Sequence, residues 1–362
     1  MPSRRVLHVL HRAALAGTER HVLALTQGLK MRGWEPLVAV SRSGPAEAAF
    51  ERAGIPVVHL RRTRGPDPTY VFRLVSLLKE REIDILHAHS GRLPCLAGRI
   101  AGIALVVETR HGLGSEGLAG ARLRAQAFLC RLAKRTIAVC EADREVLIRG
   151  GLPPSRVVRI SNGIPPRRRP PSERGGGTLR LGFLGRLAPQ KDPLFLIDVV
   201  RHLKGAMPGG WTLRIAGDGP LAKRLREGLA DGCPAGSLVW MGEIDHAEDF
   251  LDELDLLLFP SRWEGQPLAV LEAMQAGVVV LGSQIAALDE LLGGEPPAGL
   301  LLRREPASWA SAIMDLSRDR DRLRSMEIES MRRVAAEHGI GTMVERVERL
   351  YLDAFAGESA CC

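Results

Sequence analysis

Glu264 and Glu272 stand eight positions apart in the run FPSRWEGQPLAVLEAMQAG, Phe259 to Gly277. A carboxylate accepts hydrogen bonds from hydroxyls, so two of them flanking a turn can hold two polyols, one of them a ribose. The segment before them, LDLLLF (Leu254 to Phe259), is a short bounded apolar run and reads as a buried parallel strand. Pro267 suits the first turn of a helix, where a missing N–H costs nothing, and PLAVLEAMQA is rich in helix formers. Glu264 is therefore expected in the loop at the strand's C-terminal end, and Glu272 roughly 1.5 turns into the helix. Ligands of open α/β sheets bind at that end of the strands, and a helix N-terminus there favours a phosphate. Taken in isolation, the same pair is a solvated helix face.

A second constellation lies in LRLGFLGRLAPQKDP. It predicts a strand over Leu179 to Leu184, a turn at Gly185, and two cations, Arg186 and Lys191. Asp192 and Pro193 look like N-cap and N1 of the next helix. Cations beside a helix N-terminus suit a diphosphate, Arg by bidentate bonds and Lys as a point charge. A competing chemistry comes from TLRIAGDGPLAKRL, where Gly217, Gly219 and Ala222 satisfy G-x-G-x-x-A between a strand and a helix. That is a dinucleotide pattern, and it calls for an acid ~20 residues on; Glu243 and Asp245 lie near that distance.

The string EG, P, LEAM, AG resembles the C-terminal signature of the retaining glycosyltransferase family 4, which has the two-domain GT-B fold. The resemblance implies that Glu264 binds the donor sugar and Glu272 the nucleotide ribose. It places Gly265, Gln266, Pro267 and Leu268 in the same donor site. Arg186 and Lys191 match the family's G-R-L…K segment, which implies that they hold the donor diphosphate and stabilise the departing nucleotide. Glycosyltransferases of this fold carry the strand–GxGP–helix element too, so the resemblance weighs against a dehydrogenase.

The first half carries matching marks. RVLHVL (Arg5 to Leu10) reads as a first strand, followed by AGTERHVLALTQGLKMRGWEP with Val22, Leu23, Leu25 and Leu29 at helical spacing. This is similar to the family's G-G-x-E-R opening, with Thr18 in place of the second Gly, and implies that Gly17 lies in a loop across the cleft from the donor diphosphate. DILHAHS, LVVETRHGL, RTIAVCEADREVL and RISNGIP follow as further family segments. His111, just past the strand in LVVETRHGL, is implied to face the donor sugar; the bland alternative is a structural hydrogen-bonder. The chain departs from the family in VVVLGSQIAALDELL: Val279 replaces a Pro, and Ala286-Ala287 replaces Gly-Gly. Gln266 is a milder departure. Gly-Gly admits positive φ and close backbone approach, so altered donor geometry or weaker activity is expected there.

With 362 residues and 45% hydrophobic content, two domains with substantial cores are expected. Alternating strands and helices give an α/β class with parallel sheets covered on both faces; the resemblance implies the GT-B form of it, two Rossmann-like, doubly wound domains facing a cleft. The expected divisions are residues 1–164 for an acceptor-binding domain, 165–177 for a linker, and 178–339 for the nucleotide-sugar domain. MVERVERLYLDAF resembles the family's terminal helix, which implies that a helix near 340–356 crosses back to the first domain. PPRRRPPSERGGG (Pro165 to Gly177) reads as an exposed charged linker, with no nucleic-acid motif beside it.

Six cysteines without C-x-x-C suit a reducing cytosol, and no apolar stretch reaches ~18 residues. The net charge of +8 favours anionic partners. ARLRAQAFLCRLAKR reads as an interfacial helix that meets anionic lipid through Arg122, Arg124, Arg131, Lys134 and Arg135. The alternative is a helix packed on its own domain. The DRD at Asp319 to Asp321 mimics a metal motif but sits in an exposed charged helix, so no metal is expected.

These readings converge on a retaining glycosyltransferase that moves a sugar from a nucleotide-diphosphate sugar, UDP- or GDP-linked, to a glycan or lipid-linked acceptor. The expected setting is surface polysaccharide or glycolipid biosynthesis, in the cytoplasm or peripherally at the inner membrane face, with no cofactor and no nucleic acid. The alternatives are a sugar-nucleotide epimerase or hydrolase of the same fold, and a non-catalytic sugar-nucleotide binder.

Overall fold

The computed structural model describes residues 4–14, 16–63, 67–89, 91–112, 128, 130–171, 177–207 and 209–359. Two compact units emerge: Met1–Pro165 with Gly339–Cys362, and Pro166–His338.

The first unit is built on seven strands: β1 (Arg5–Leu10), β2 (Glu35–Val40), β3 (Val57–His59), β4 (Ile85–Ala88), β5 (Leu105–Arg110), β6 (Arg135–Ala138) and β7 (Val157–Arg159). All pair in parallel in the order β3-β2-β1-β4-β5-β6-β7. Their near-continuous apolar runs follow from burial on both faces. The helix Gly17–Met31 buries Val22, Leu25 and Leu29, whose spacing keeps them on one face. The terminal helix Ile340–Ser359 packs beside it, with Val344, Val347 and Tyr351 in one cluster with Leu25, Leu29, Ile85 and Leu105. Gly28 allows that approach, because a Cβ there would stand 2.4 Å from the Val344 side chain. Strand order reverses between β1 and β4.

The second unit has six parallel strands: β8 (Leu179–Leu184), β9 (Trp211–Ala216), β10 (Leu238–Gly242), β11 (Leu256–Phe259), β12 (Val279–Ser283) and β13 (Gly299–Leu302). Their order is β10-β9-β8-β11-β12-β13, so the reversal falls between β8 and β11. Leu181, Phe183, Leu213, Ile215, Leu256 and Leu258 form its core with Trp309. Asp255 accepts from the Arg180 backbone N–H at 2.8 Å and from its guanidinium at 2.9 Å, which pins the start of β8 beside β11.

Several local expectations need correction. The helix after β8 runs Phe195–Ala206, so Asp192 and Pro193 precede it. Asp192 adopts φ +43°, and its carboxylate is taken by two arginines instead of capping the helix. Gly17 opens the helix Gly17–Met31 and does not lie in a loop. Pro267 occupies the N-cap of Leu268–Gln275, one position earlier than expected, which puts Glu272 about one turn in.

The proposed interfacial helix does not extend through Arg131–Arg135: residues 131–134 form turns, and Arg135 starts β6. Arg122 and Arg124 lie outside the described residues. The arginine run after Pro166 is not a free linker either. The Arg167 side chain is only 6% exposed and meets Asp252 at 2.5 Å, while Arg169 pairs with Asp249 and Asp252, so these arginines dock on the helix Ala247–Asp252. Asp319 N-caps the helix Arg320–Glu337 through Arg322 N at 2.9 Å, which accounts for one half of the DRD motif. No helix among the described residues is long and apolar enough to cross a membrane.

Candidate functional site

In the second unit the loops following β8 and β11 lie side by side at the point where strand order reverses. Lys191 Nζ donates to Glu264 Oε1 at 2.7 Å and stands 4.7 Å from the centroid of the Phe259 ring. Their side chains are 18% and 7% exposed, so charge and ring act through little water. The loops are joined by backbone. Arg262 N donates to Gln190 O at 2.8 Å, and Gln190 Nε2 donates to Trp263 O at 3.1 Å. Below them, the Asp192 carboxylate accepts from Arg262 Nε at 3.1 Å and from Arg304, whose other nitrogen donates to Pro260 O at 2.6 Å. Lys191 is thus presented by a fixed turn.

The glycines around this turn have structural reasons. A Cβ on Gly217 (φ +130°) would lie 2.0 Å from Gly185 O, and one on Gly219 would lie 2.5 Å from Leu187 O. Leu187 N donates to Asp218 O at 2.9 Å, and Leu221 N donates to Leu187 O at 2.9 Å. The G-x-G pattern therefore serves backbone packing of the loop after β9 on the loop after β8. This removes the need for a dinucleotide to explain it.

Gly17 lies in the first unit, whereas the expected donor residues of the second unit follow the same two strands. Gly185 faces the aliphatic part of Lys191, Arg186 is exposed, and Gly265, Gln266 and Pro267 are buried between Glu264 and the helix Leu268–Gln275. That helix has no side-chain cap, and Leu268 and Glu272 on it are half-buried. Ser261 and Ser283, beyond β11 and at the end of β12, bury hydroxyls with no hydrogen-bond partner among the described residues. Ala286 and Ala287 open the helix Ala286–Leu292 in ordinary helical conformation, so the loss of Gly-Gly leaves no backbone strain there. A groove of about 740 Å³ lies between the helices Phe195–Ala206 and Ala222–Ala230. It reaches the turn only through Asp192 and Arg262, and neither Lys191 nor Glu264 lines it.

His111 belongs to the first unit, in a histidine cluster at its own reversal point. His8 in β1 and His87 in β4 are register partners, and His89 and His111 follow β4 and β5. Alternation along each strand sends these side chains to one face. His8 Nδ1 and His89 Nε2 are 3.0 Å apart; His89 Nδ1 and His111 Nε2 are 3.1 Å apart. His87 bonds the Tyr351 hydroxyl at 2.6 Å and Thr109 Oγ1 at 2.7 Å. His21, from the helix Gly17–Met31, sets its ring edge-on to His111 at 4.7 Å and bonds Asn162. Burial disfavours charge, lowering His8 to about 3 and His21 to about 4, and holding His87, His89 and His111 well below the ordinary range.

Sequence reasoning found His111 but not its neighbours. The His87-x-His89 alternation was a usable signal, since period two on a strand puts both rings on one face. Arg262 and Arg304 had none: they meet at Asp192 from 70 and 112 positions away.

The fold is that of GT-B sugar-transferring enzymes. A solved structure described as Anabaena Alr3699/HepE in complex with UDP and glucose superposes with a TM-score of 0.83 at 18% identity, covering 97% of this chain and all of that one. The family description "Glycosyltransferase Family 4" matches residues 15–168, and "Glycosyl transferases group 1" matches residues 178–319. Among curated relatives, the Escherichia coli UDP-Gal:alpha-D-GlcNAc-diphosphoundecaprenol alpha-1,3-galactosyltransferase is 25% identical, over 96% of this chain and 97% of its own. The lipopolysaccharide core biosynthesis mannosyltransferase LpsB of Rhizobium meliloti (strain 1021) is 30% identical over 47% of this chain and 50% of its own. The chain belongs to glycosyltransferase family 4 and is a glycosyltransferase.

Proposed function

We propose that the protein transfers a sugar from a nucleoside-diphosphate sugar, most simply a UDP-sugar, to a lipid-linked or glycan acceptor, with retention of anomeric configuration. The observation that carries this reading is the Lys191–Glu264 pair, set where strand order reverses and three residues ahead of an uncapped helix N-terminus. Free backbone N–H groups at such a terminus attract phosphate, and a lysine ammonium retains two further donors while bound to Glu264.

In this reading Lys191 and Arg186 hold the diphosphate and offset the charge that builds on it as the glycosidic bond breaks. Glu264 orients the sugar hydroxyls while keeping Lys191 in place, and Glu272 accepts from the ribose. The acceptor hydroxyl attacks the face the nucleotide leaves, and the departing phosphate takes its proton. The relatives' names support this chemistry: one E. coli relative uses UDP-Gal and a diphosphoundecaprenol-linked acceptor, and HepE was crystallised with UDP and glucose. By the same analogy the protein works in polysaccharide or glycolipid biosynthesis at the cytoplasmic membrane face. Exposed Phe128, with Arg131 5.8 Å from its ring centroid, belongs to the basic surface that would meet anionic lipid.

The test of transfer is incubation with UDP-sugars and an undecaprenyl-diphosphate-linked sugar, with the product's anomeric configuration read by NMR. An inverted product removes retention. Sugar release without any acceptor product favours hydrolysis instead. Flotation with vesicles containing anionic lipid tests the membrane surface, and protein left in solution removes it.

A further inference from the structure

The histidine chain of the first unit has a property that follows from proton counting alone. A neutral imidazole carries one N–H and one lone pair. Each of the two close ring contacts, His8 Nδ1 to His89 Nε2 and His89 Nδ1 to His111 Nε2, needs one N–H and one lone pair facing each other. Both bonds form only if all three protons sit on Nδ1, or all three on Nε2. Every other arrangement sets two N–H groups or two lone pairs against each other at about hydrogen-bond distance, which loses a bond and adds repulsion.

We propose that His8, His89 and His111 form one tautomeric unit, so that His8 and His89 are positioning residues that fix whether His111 Nδ1 donates or accepts. Interconversion of the two states removes a proton from His111 Nδ1 and delivers one to His8 Nε2, or the reverse. His8 Nε2 is buried and meets no hydrogen-bonding group among the described residues, so no side chain there relays a proton to that end of the chain, and one tautomer is held. His111 is then a hydrogen-bonding group of one fixed sense, and it transfers no proton through this chain.

Shared protons describe the cluster better than a bound cation. Two groupings, His8-His87-His89 and His21-His89-His111, bring three ring nitrogens within 4.8 Å. A tetrahedral zinc wants its nitrogens about 3.3 Å apart with every ligand nitrogen unprotonated. Here His87 spends both nitrogens on hydroxyls and His89 spends both on imidazoles.

The coupling is a property of the first unit and does not depend on the proposed transfer reaction. It is tested on the full chain, with histidine labelled in its ring nitrogens and long-range proton–nitrogen NMR at neutral pH, signals being assigned by single substitutions. The expected result is one tautomer shared by His8, His89 and His111. A discordant ring, an averaged shift at His111 or an imidazolium in the chain overturns the proposal. His89→Phe should cut the chain, so that His111 loses the bond that fixes its tautomer and shows averaged shifts, while His87, bonded to Tyr351 and Thr109, keeps its own. Unchanged His111 shifts in that variant also overturn it. If His89→Phe does not fold, the wild-type spectrum alone decides.

Discussion

Acidification should destabilise the first unit well above the pH at which carboxylates titrate. His8 and His21 are buried and neutral, with pKa values lowered by burial to about 3 and about 4, whereas the unfolded chain restores 6.5. The sign follows from linkage: below pH 6.5 the unfolded state binds protons that the folded state refuses, so stability is full above 6.5 and falls as pH drops towards the folded values. Between about pH 7.5 and about pH 5.5, each of the two rings costs about 1.4 kcal/mol, about 2.7 kcal/mol together. His87, His89 and His111 push the same way, since burial holds all three well below the ordinary range. Glu19 opposes them, because its buried carboxyl is pushed up and gains a proton in the folded state. The assay is urea unfolding across this pH range, with hydrogen exchange of peptides from β1 and β4 reporting on the first unit. The expected slope corresponds to uptake of about two or more protons on unfolding near pH 5.5. A stability independent of pH over this window would refute the argument, because it would mean that these rings are protonated or solvated in the folded state.

Lys191→Ala should lower turnover on the order of 100-fold or more by removing charge from the leaving group, measured as initial transfer rate; an unchanged rate removes Lys191 from that role. Arg167→Ala strands the buried Asp252 with only Arg169 beside it, and thermal unfolding should register a loss of about 1–3 kcal/mol. Gly28→Val drives a side chain into Val344, so a loss of about 1–3 kcal/mol is expected, with faster exchange in the helix Ile340–Ser359. Gly217→Ala places a Cβ against Gly185 O and should weaken nucleotide binding by displacing the turn that carries Lys191. Unaltered affinity would show that this packing does not set the site.

The strands were legible because each is a short apolar run closed by a turn, and β1, β8 and β11 fall where periodicity and composition put them. Helix starts were less so. Asp192-Pro193 carries a helix-start signature, yet tertiary ion pairs with Arg262 and Arg304 claim the aspartate and hold the backbone at positive φ. Arg167 to Arg169 had the composition of a solvated linker because nothing local reveals the acidic helix eighty residues on. At the site, Glu264 and Lys191 were found as separate elements. Their direct contact depends on β8 and β11 being neighbours, a fact of topology that no short window contains.

The most direct test of the central claim is calorimetric titration of the protein with UDP, GDP, ADP and NAD. Saturable binding of one nucleoside diphosphate, weakened in both Lys191→Ala and Glu272→Ala, is the result predicted by a donor site at the turn between β8 and β11. Binding of NAD alone, or nucleoside-diphosphate binding indifferent to both substitutions, would contradict it.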